Sequence, residues 1–326
     1  TNYGTITVGA AKKFDDKNGQ FTTGVAIQGA ISNTLTAKQT FTNEVKGVID
    51  AADATAAIGL DYVQGAEVTN NGTINGVISV GAGAKSTTIS LNEASVLNGD
   101  ISVEGDGTTI KLDDAAVTTG DIIVNSTATG DNVQGTTIAA TAETGKVSTL
   151  TGSILAQQGS VKQTGSLKAE SVVVGTLKAG ETDATSSTYT VDTGAKLAVE
   201  SATVNTGTLN VAGELTTGEL TTVKTVKSEN ETVSGAASVT GTLSAGKITN
   251  AGTLTLGTSG TVKVTGTGSV NKGSIAKADN ASGDTFEVTK GADFTNEANA
   301  VMGASDKLLS TIKVAEGATF KNSGLI

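Results

Sequence analysis

The chain has no cysteine, proline, histidine or tryptophan, and all 22 of its basic residues are lysine. Each absence removes chemistry. Without Cys or His there is no thiolate nucleophile, no imidazole base, no zinc site of the usual ligand set and no disulfide. Without Arg, no side chain grips a carboxylate or phosphate at two points. Aromatic residues number nine in 326, three Tyr and six Phe, too few for the core of a compact globule of this size or for a sugar-stacking platform. No apolar run approaches the roughly 20 residues of a membrane-spanning helix. A net charge of −10 with scattered lysines (Lys12-Lys13 is the one adjacent pair) argues against nucleic acid and against anionic membrane surfaces.

What is present is small and β-branched. Gly occupies 42 positions and Thr 56. The apolar share of 37% falls below the usual ~45–50%. It is Val, Ile, Leu and Ala spread evenly along the chain, which suits a long narrow core. Abundant β-branched residues and the lack of Pro argue against disorder, whose composition runs the other way.

The chain repeats itself. Asn-x-Gly followed by Ile or Leu occurs at Asn2/Gly4, Asn70/Gly72, Asn205/Gly207, Asn250/Gly252, Asn271/Gly273 and Asn322/Gly324. Two copies extend over ten residues, Gly65-Ala-Glu-Val-Thr-Asn-Asn-Gly-Thr-Ile74 and Gly317-Ala-Thr-Phe-Lys-Asn-Ser-Gly-Leu-Ile326, and Gly291-Ala-Asp-Phe-Thr-Asn296 shares the front half. The intervals 2→70, 205→250 and 250→271 are 68, 45 and 21 residues, near multiples of about 22; 271→322 is 51 and implies an insertion. Between these units lie short alternating phrases such as Thr253-Leu-Thr-Leu256 and Thr261-Val-Lys-Val264, which read as strands with one apolar face. Asn and Gly suit the corners, because both tolerate positive φ.

Three short strands and three corners make one coil. The pattern therefore predicts an all-β chain folded as a right-handed parallel β-helix of roughly 20–23 residues per coil, with Val, Ile and Leu stacked inside and Thr, Ser and Lys outside. Residues 1–64 are expected to form an irregular solenoid or capping region. The helix-like spacing of Phe41, Val45, Val48 and Ile49, followed by Ala-rich Ala51–Ala57, suggests a short helix or cap within Ala37–Leu60. Met302–Ile312 is a weaker helical candidate. Residues 65–326 read as repetitive solenoid.

Candidate chemistry is thin. Asp15-Asp16 and Asp113-Asp114 are adjacent acids, but neighbours on a strand point to opposite faces, so adjacency does not make the spaced carboxylate pair of a glycosidase. Gly-Asp at residues 99–100, 105–106, 120–121, 130–131 and 283–284 could offer oxygen ligands to Ca²⁺, yet the calcium nonapeptide repeat is missing and turn formation explains these residues more simply. Thr-x-Thr pairs (Thr5/Thr7, Thr206/Thr208, Thr240/Thr242, Thr253/Thr255, Thr265/Thr267) are too irregular for an ice-matching face. Tyr189, alone in an aromatic-free stretch, reads as a surface or coil-edge residue. The Asn of the repeated unit read as architecture, able to stack into amide ladders. No catalytic, cofactor-binding or metal-binding residue is assigned.

The phrases from Gly65 and Gly317, with Ala56-Ala-Ile-Gly-Leu60 upstream of the first, resemble repeats in the passenger domains of Gram-negative autotransporters. That resemblance implies an extracellular, cell-surface β-helix acting as an adhesin, biofilm factor or shaft. It implies contact with a receptor on a host or neighbouring cell, and neither nucleic acid binding nor membrane insertion of this segment. No catalytic residue carries over, since the protease passengers need a His. Lacking both leader and translocator barrel, the chain reads as a fragment, processed form or assembly unit. The functional expectation is a non-enzymatic surface rod. The alternative is a self-associating subunit of a filament, sheath or surface layer, because the chain starts and stops in the same phase of its repeat and open coil ends can template further strands.

Overall fold

The structure is a computed structural model that describes residues 1–7, 23–29, 37–128, 133–176, 185–228, 231–303 and 307–326. Among these residues all regular structure is β, and there is no helix. Apart from Lys224–Ser228, the described strands pair in parallel with counterparts in adjacent coils, so the chain forms a parallel β-solenoid. Two compact units result. One comprises Thr1–Leu155 with Gly159–Lys168, the other Ala156–Gln158 with Ala169–Ile326.

Alternation within each short strand sends every second side chain inward, and in-register stacking lines these up along the core. In the first unit Val68, Ile89, Ile110 and Ile138 form one such file, and Ile58, Ile78, Ile101 and Ile122 another; all eight are fully buried. In the second unit Leu197, Leu215, Leu243, Val262 and Phe286 stack in sequence, as do Ala237, Leu254 and Ile275. Full burial of each Leu, Ile or Val contributes on the order of 1.5–3 kcal/mol. Phe286, Phe294 and Phe320 close the second unit's last coils, with ring centroids 4.8 Å apart edge-to-face and then 5.7 Å apart stacked.

Coil length is less regular than the sequence pattern implies. Register partners are 21 residues apart from Thr88 to Thr109, 17 from Ala236 to Thr253 and 28 from Thr109 to Thr137. The variation sits in the corners. At one corner an antiparallel hairpin replaces a short turn: Lys224–Ser228 pairs back onto the start of Glu231–Val239, whose later residues rejoin the parallel stack.

Three expectations are corrected here. Ala37–Leu60 holds no helix; it contains the strands Thr40–Asn43, Val48–Asp50 and Ala56–Asp61, each paired in parallel with the next coil. The helix-like spacing arises from a four-residue corner between two strands, which leaves Val45 78% exposed while Ile49 is fully buried. Met302–Ile312 likewise carries the end of strand Val301–Met302 and the start of Thr311–Val314, residues 304–306 lying outside the described set. Tyr189 is not a surface residue. It is fully buried in strand Ser187–Val191, in register with Leu209, and its hydroxyl has no hydrogen-bond partner.

Glycine at the corners is required by close approach of the backbone. Gly99, Gly120 and Gly152 stack on one another, and a methyl group at Gly120 or Gly152 would overlap the carbonyl of the glycine one coil before. Gly120→Ala is therefore expected to lower the urea unfolding midpoint, costing about 1–3 kcal/mol. Gly4→Ala, where the added carbon meets nothing within 4 Å, should stay within roughly 0.5 kcal/mol of the parent. Equal effects would show that the glycine stack is not a steric constraint.

Burial also pushes the Tyr189 phenol above its ordinary value of 10.0. The folded state then holds its proton where the unfolded chain has released it, so stability falls as pH rises above about 10. Tyr189→Phe removes an unpartnered buried hydroxyl and should unfold less readily than the parent in alkaline urea titrations. Identical alkaline profiles would overturn that reading.

Candidate functional site: a directional asparagine ladder

The repeated Asn residues lie at the ends of strands, where the chain turns into the next side of the coil. In the second unit Thr222, Asn250, Asn271, Asn296 and Asn322 occupy one file. Asn250 Nδ2 donates to Asn271 Oδ1 at 2.7 Å, Asn271 Nδ2 to Asn296 Oδ1 at 2.7 Å, and Asn296 Nδ2 to Asn322 Oδ1 at 2.7 Å. At the head of the file Thr222 Oγ1 donates to Asn250 Oδ1. Asn250, Asn271 and Asn296 each donate toward the C-terminal coil and accept from the N-terminal one, so the file has a direction.

The rungs also tie down the corners beside them. The second N–H of Asn250 reaches Ser274 O at 3.0 Å and that of Asn271 reaches Val301 O at 3.0 Å, while Asn271 Oδ1 accepts Gly273 N at 3.2 Å. Gly252 N is held by Thr222 Oγ1 at 3.0 Å. A carboxamide suits the position because it has two donors and an oxygen with two lone pairs. Asn250, Asn271 and Asn296 are buried, and the network satisfies them where an orphaned amide would cost about 1–3 kcal/mol.

The first unit carries a shorter copy. Asn2 Nδ2 donates to Asn43 Oδ1 at 2.9 Å and Asn43 Nδ2 to Asn70 Oδ1 at 2.8 Å; Gly4 N and Gly72 N bond back to Asn2 and Asn70 Oδ1, each at 3.2 Å. Beyond Asn70 the file continues as Leu91 and Leu112, and Asn70 Nδ2 turns to Val96 O at 3.1 Å.

Of the repeated units read from sequence, Asn2, Asn70, Asn250, Asn271 and Asn322 lie in these files. Asn205 stands one position past its file, where Val204 pairs with Thr222, and donates to Gly175 O at 3.3 Å. Gly207 sits in strand Gly207–Val211 at φ +97°. Gly324 stands beside the carbonyls of Glu297 and Ala300 and takes none of the file bonds through its nitrogen; its oxygen accepts from Asn322 Nδ2 at 3.1 Å.

Three rungs escaped the sequence pattern: Asn43, Thr222 and Asn296. Asn43 and Asn296 are followed by longer turns, without Gly two residues on. A signal was nevertheless there, since Phe41-Thr-Asn43 and Phe294-Thr-Asn296 are the same phrase. The 51-residue interval from Asn271 to Asn322 is thus two coils of 25 and 26 residues.

The other candidates resolve into corner chemistry. Asp100 Oδ1 accepts Asp121 N at 2.9 Å, Asp121 Oδ1 accepts Ser153 N at 2.8 Å, and Asp106 Oδ1 accepts Gln134 N and Gly135 N at 3.0 and 2.9 Å. Buried Asp284 accepts Ser310 N and Oγ. Asp113 caps Ala115 N and Asp114 faces Lys146 at 3.5 Å. Asp15-Asp16 and Gly130-Asp131 lie outside the described residues. No group of three or more acids is gathered as metal ligands among the described residues. Thr253/Thr255 stack between Ala236/Ser238 and Ser274/Ala276, so the Thr-x-Thr pairs do not repeat from coil to coil there.

The outward face is polar and cross-linked. Lys247–Glu219 at 3.0 Å and Lys313–Glu287 at 2.7 Å each bridge one coil to the next; such exposed pairs contribute about 0–1 kcal/mol each. Comparison of the chain with protein-family models, with curated proteins and with solved structures finds no match.

Asn271→Asp replaces a two-hydrogen donor by an acceptor between Asn296 Oδ1 and Val301 O. We expect it to cost about 2–4 kcal/mol at neutral pH and to recover part of the loss in acid, where the carboxyl regains a hydrogen to donate. The same change at exposed Asn322 should cost far less. Equilibrium unfolding at two pH values checks this; equal costs at both positions would mean the ladder carries no stability.

Proposed function

We propose that this chain is a non-enzymatic solenoid module displayed outside a Gram-negative cell, an adhesin or structural passenger that meets a receptor on a host or neighbouring cell. One observation carries the reading. The inward side chains and corner amides are committed to stacking, whereas the outward strand positions present Thr, Ser, Lys and Glu in rows fixed by the register, such as Lys263, Glu287 and Lys313. A polar face held by a stiff ladder suits presentation at a surface. The resemblance of the phrases at Gly65 and Gly317 to autotransporter passengers supports the location.

Beads coated with the chain are expected to adhere saturably to target cells, free chain competing and chelator having no effect. Adhesion no greater than that of uncoated beads would remove the adhesin reading and leave the structural one.

A second reading is end-to-end self-assembly, because the in-register parallel pairing that joins one coil to the next is the same interaction that would join one copy to another. Sedimentation across a wide concentration range separates the two: a monomer throughout excludes assembly, and growing species support it.

A further inference from the structure

Four Asn-Gly sequences occur in the chain, at residues 18–19, 71–72, 75–76 and 98–99; the first lies outside the described residues. An Asn-Gly pair is open to self-modification, because the glycine nitrogen can attack the asparagine side-chain carbonyl. Whether it does so depends on what holds that nitrogen.

The solenoid treats the three described sites differently. Gly72 N donates to Asn70 Oδ1 at 3.2 Å, as part of the ladder. Gly76 N donates to Asn98 O at 2.8 Å, the next coil's strand lying alongside. For Gly99 the corresponding acceptor is missing. Strands Thr73–Asn75 and Val96–Asn98 pair over three residues each, but the next strand in that file is only Val117–Thr118. The ladder therefore stops one residue early, and Gly99 N has no acceptor among the described residues. Asn98 is also solvent-exposed, where Asn75 and Asn71 are half-buried.

We infer that Asn98–Gly99 is a site of spontaneous, water-dependent side-chain modification, and that the fold protects Asn71 and Asn75 from it. Gly99 N loses its proton to solvent and forms a bond to Asn98 Cγ; the Cγ–Nδ2 bond breaks and nitrogen leaves as ammonia. Water then opens the cyclic imide at either carbonyl, giving aspartate or its isomer with the backbone routed through the side chain. Either product replaces the amide that donates to Asn75 Oδ1 at 2.9 Å by a carboxylate, in a file that already holds Asp50 beside Asn75. The isomer also lengthens the backbone beside Gly99, which packs against Gly76 O.

The test is peptide mapping by mass spectrometry of the intact folded chain during incubation in mildly alkaline buffer, alongside the same chain in concentrated urea. In the folded chain Asn98 should convert about fivefold or more faster than Asn75, the ratio expected from freeing one hydrogen-bonded N–H. In urea the two sites should converge. Conversion of Asn75 or Asn71 as fast as Asn98 in the folded chain overturns the inference. So does an unmodified Asn98 after the unfolded chain has converted, or an unchanged ratio in urea.

Discussion

Outside the hairpin at Lys224–Ser228, the described strands lie beside the same position one coil away. That single constraint selects the chemistry. Aliphatic side chains tolerate their own kind at strand spacing, and so do amides, which donate and accept at once. Carboxylates do not, and the structure shows how they are accommodated: Asp100 and Asp121 each accept the backbone N–H of the following coil, so that a row of acids becomes a row of corner braces. Lysine and glutamate alternate where charge faces outward, as at Glu219 and Lys247.

The asparagine files show how far one position can vary under this rule. In the first unit the file runs Asn43, Asn70, Leu91, Leu112; in the second it runs Val204, Thr222, Asn250, Asn271, Asn296. Aliphatic and amide rungs thus share one geometric slot. What differs is the corner that follows. Where the next turn leaves backbone groups facing the slot, an amide satisfies them, and neighbouring amides polarise one another along the row.

Much of this was legible in the sequence. Period-two phrases such as Thr253–Leu256 and Thr261–Val264 marked strands, and Asn-x-Gly marked corners, because both depend on neighbours within a few residues. The failures were of another kind. Asn43 and Asn296 belong to the ladder through partners 27 and 25 residues away, and their longer turns hid them from a search keyed on the following glycine. Val45 and Ile49 mimicked a helical face because a corner happened to be four residues long. Tyr189 was misplaced because its depth is set by which way its strand faces, and an isolated aromatic carries no periodicity to reveal that. The polar outward rows were legible as composition, but the partner they meet is written in no local pattern.

The hairpin between Lys224 and Glu231 occupies a corner that at Asn250 and Asn271 needs a single residue between Asn and Gly. The strands on either side keep their register across it, with Thr222 still paired to Asn250 and Gly235 still paired to Gly207. The scaffold therefore decouples what is carried at this corner from what holds the wall together. Foreign epitopes or recognition loops grafted there would be displayed without renegotiating the interior, and lineages of such chains would be free to diversify their decoration while the masonry stayed the same.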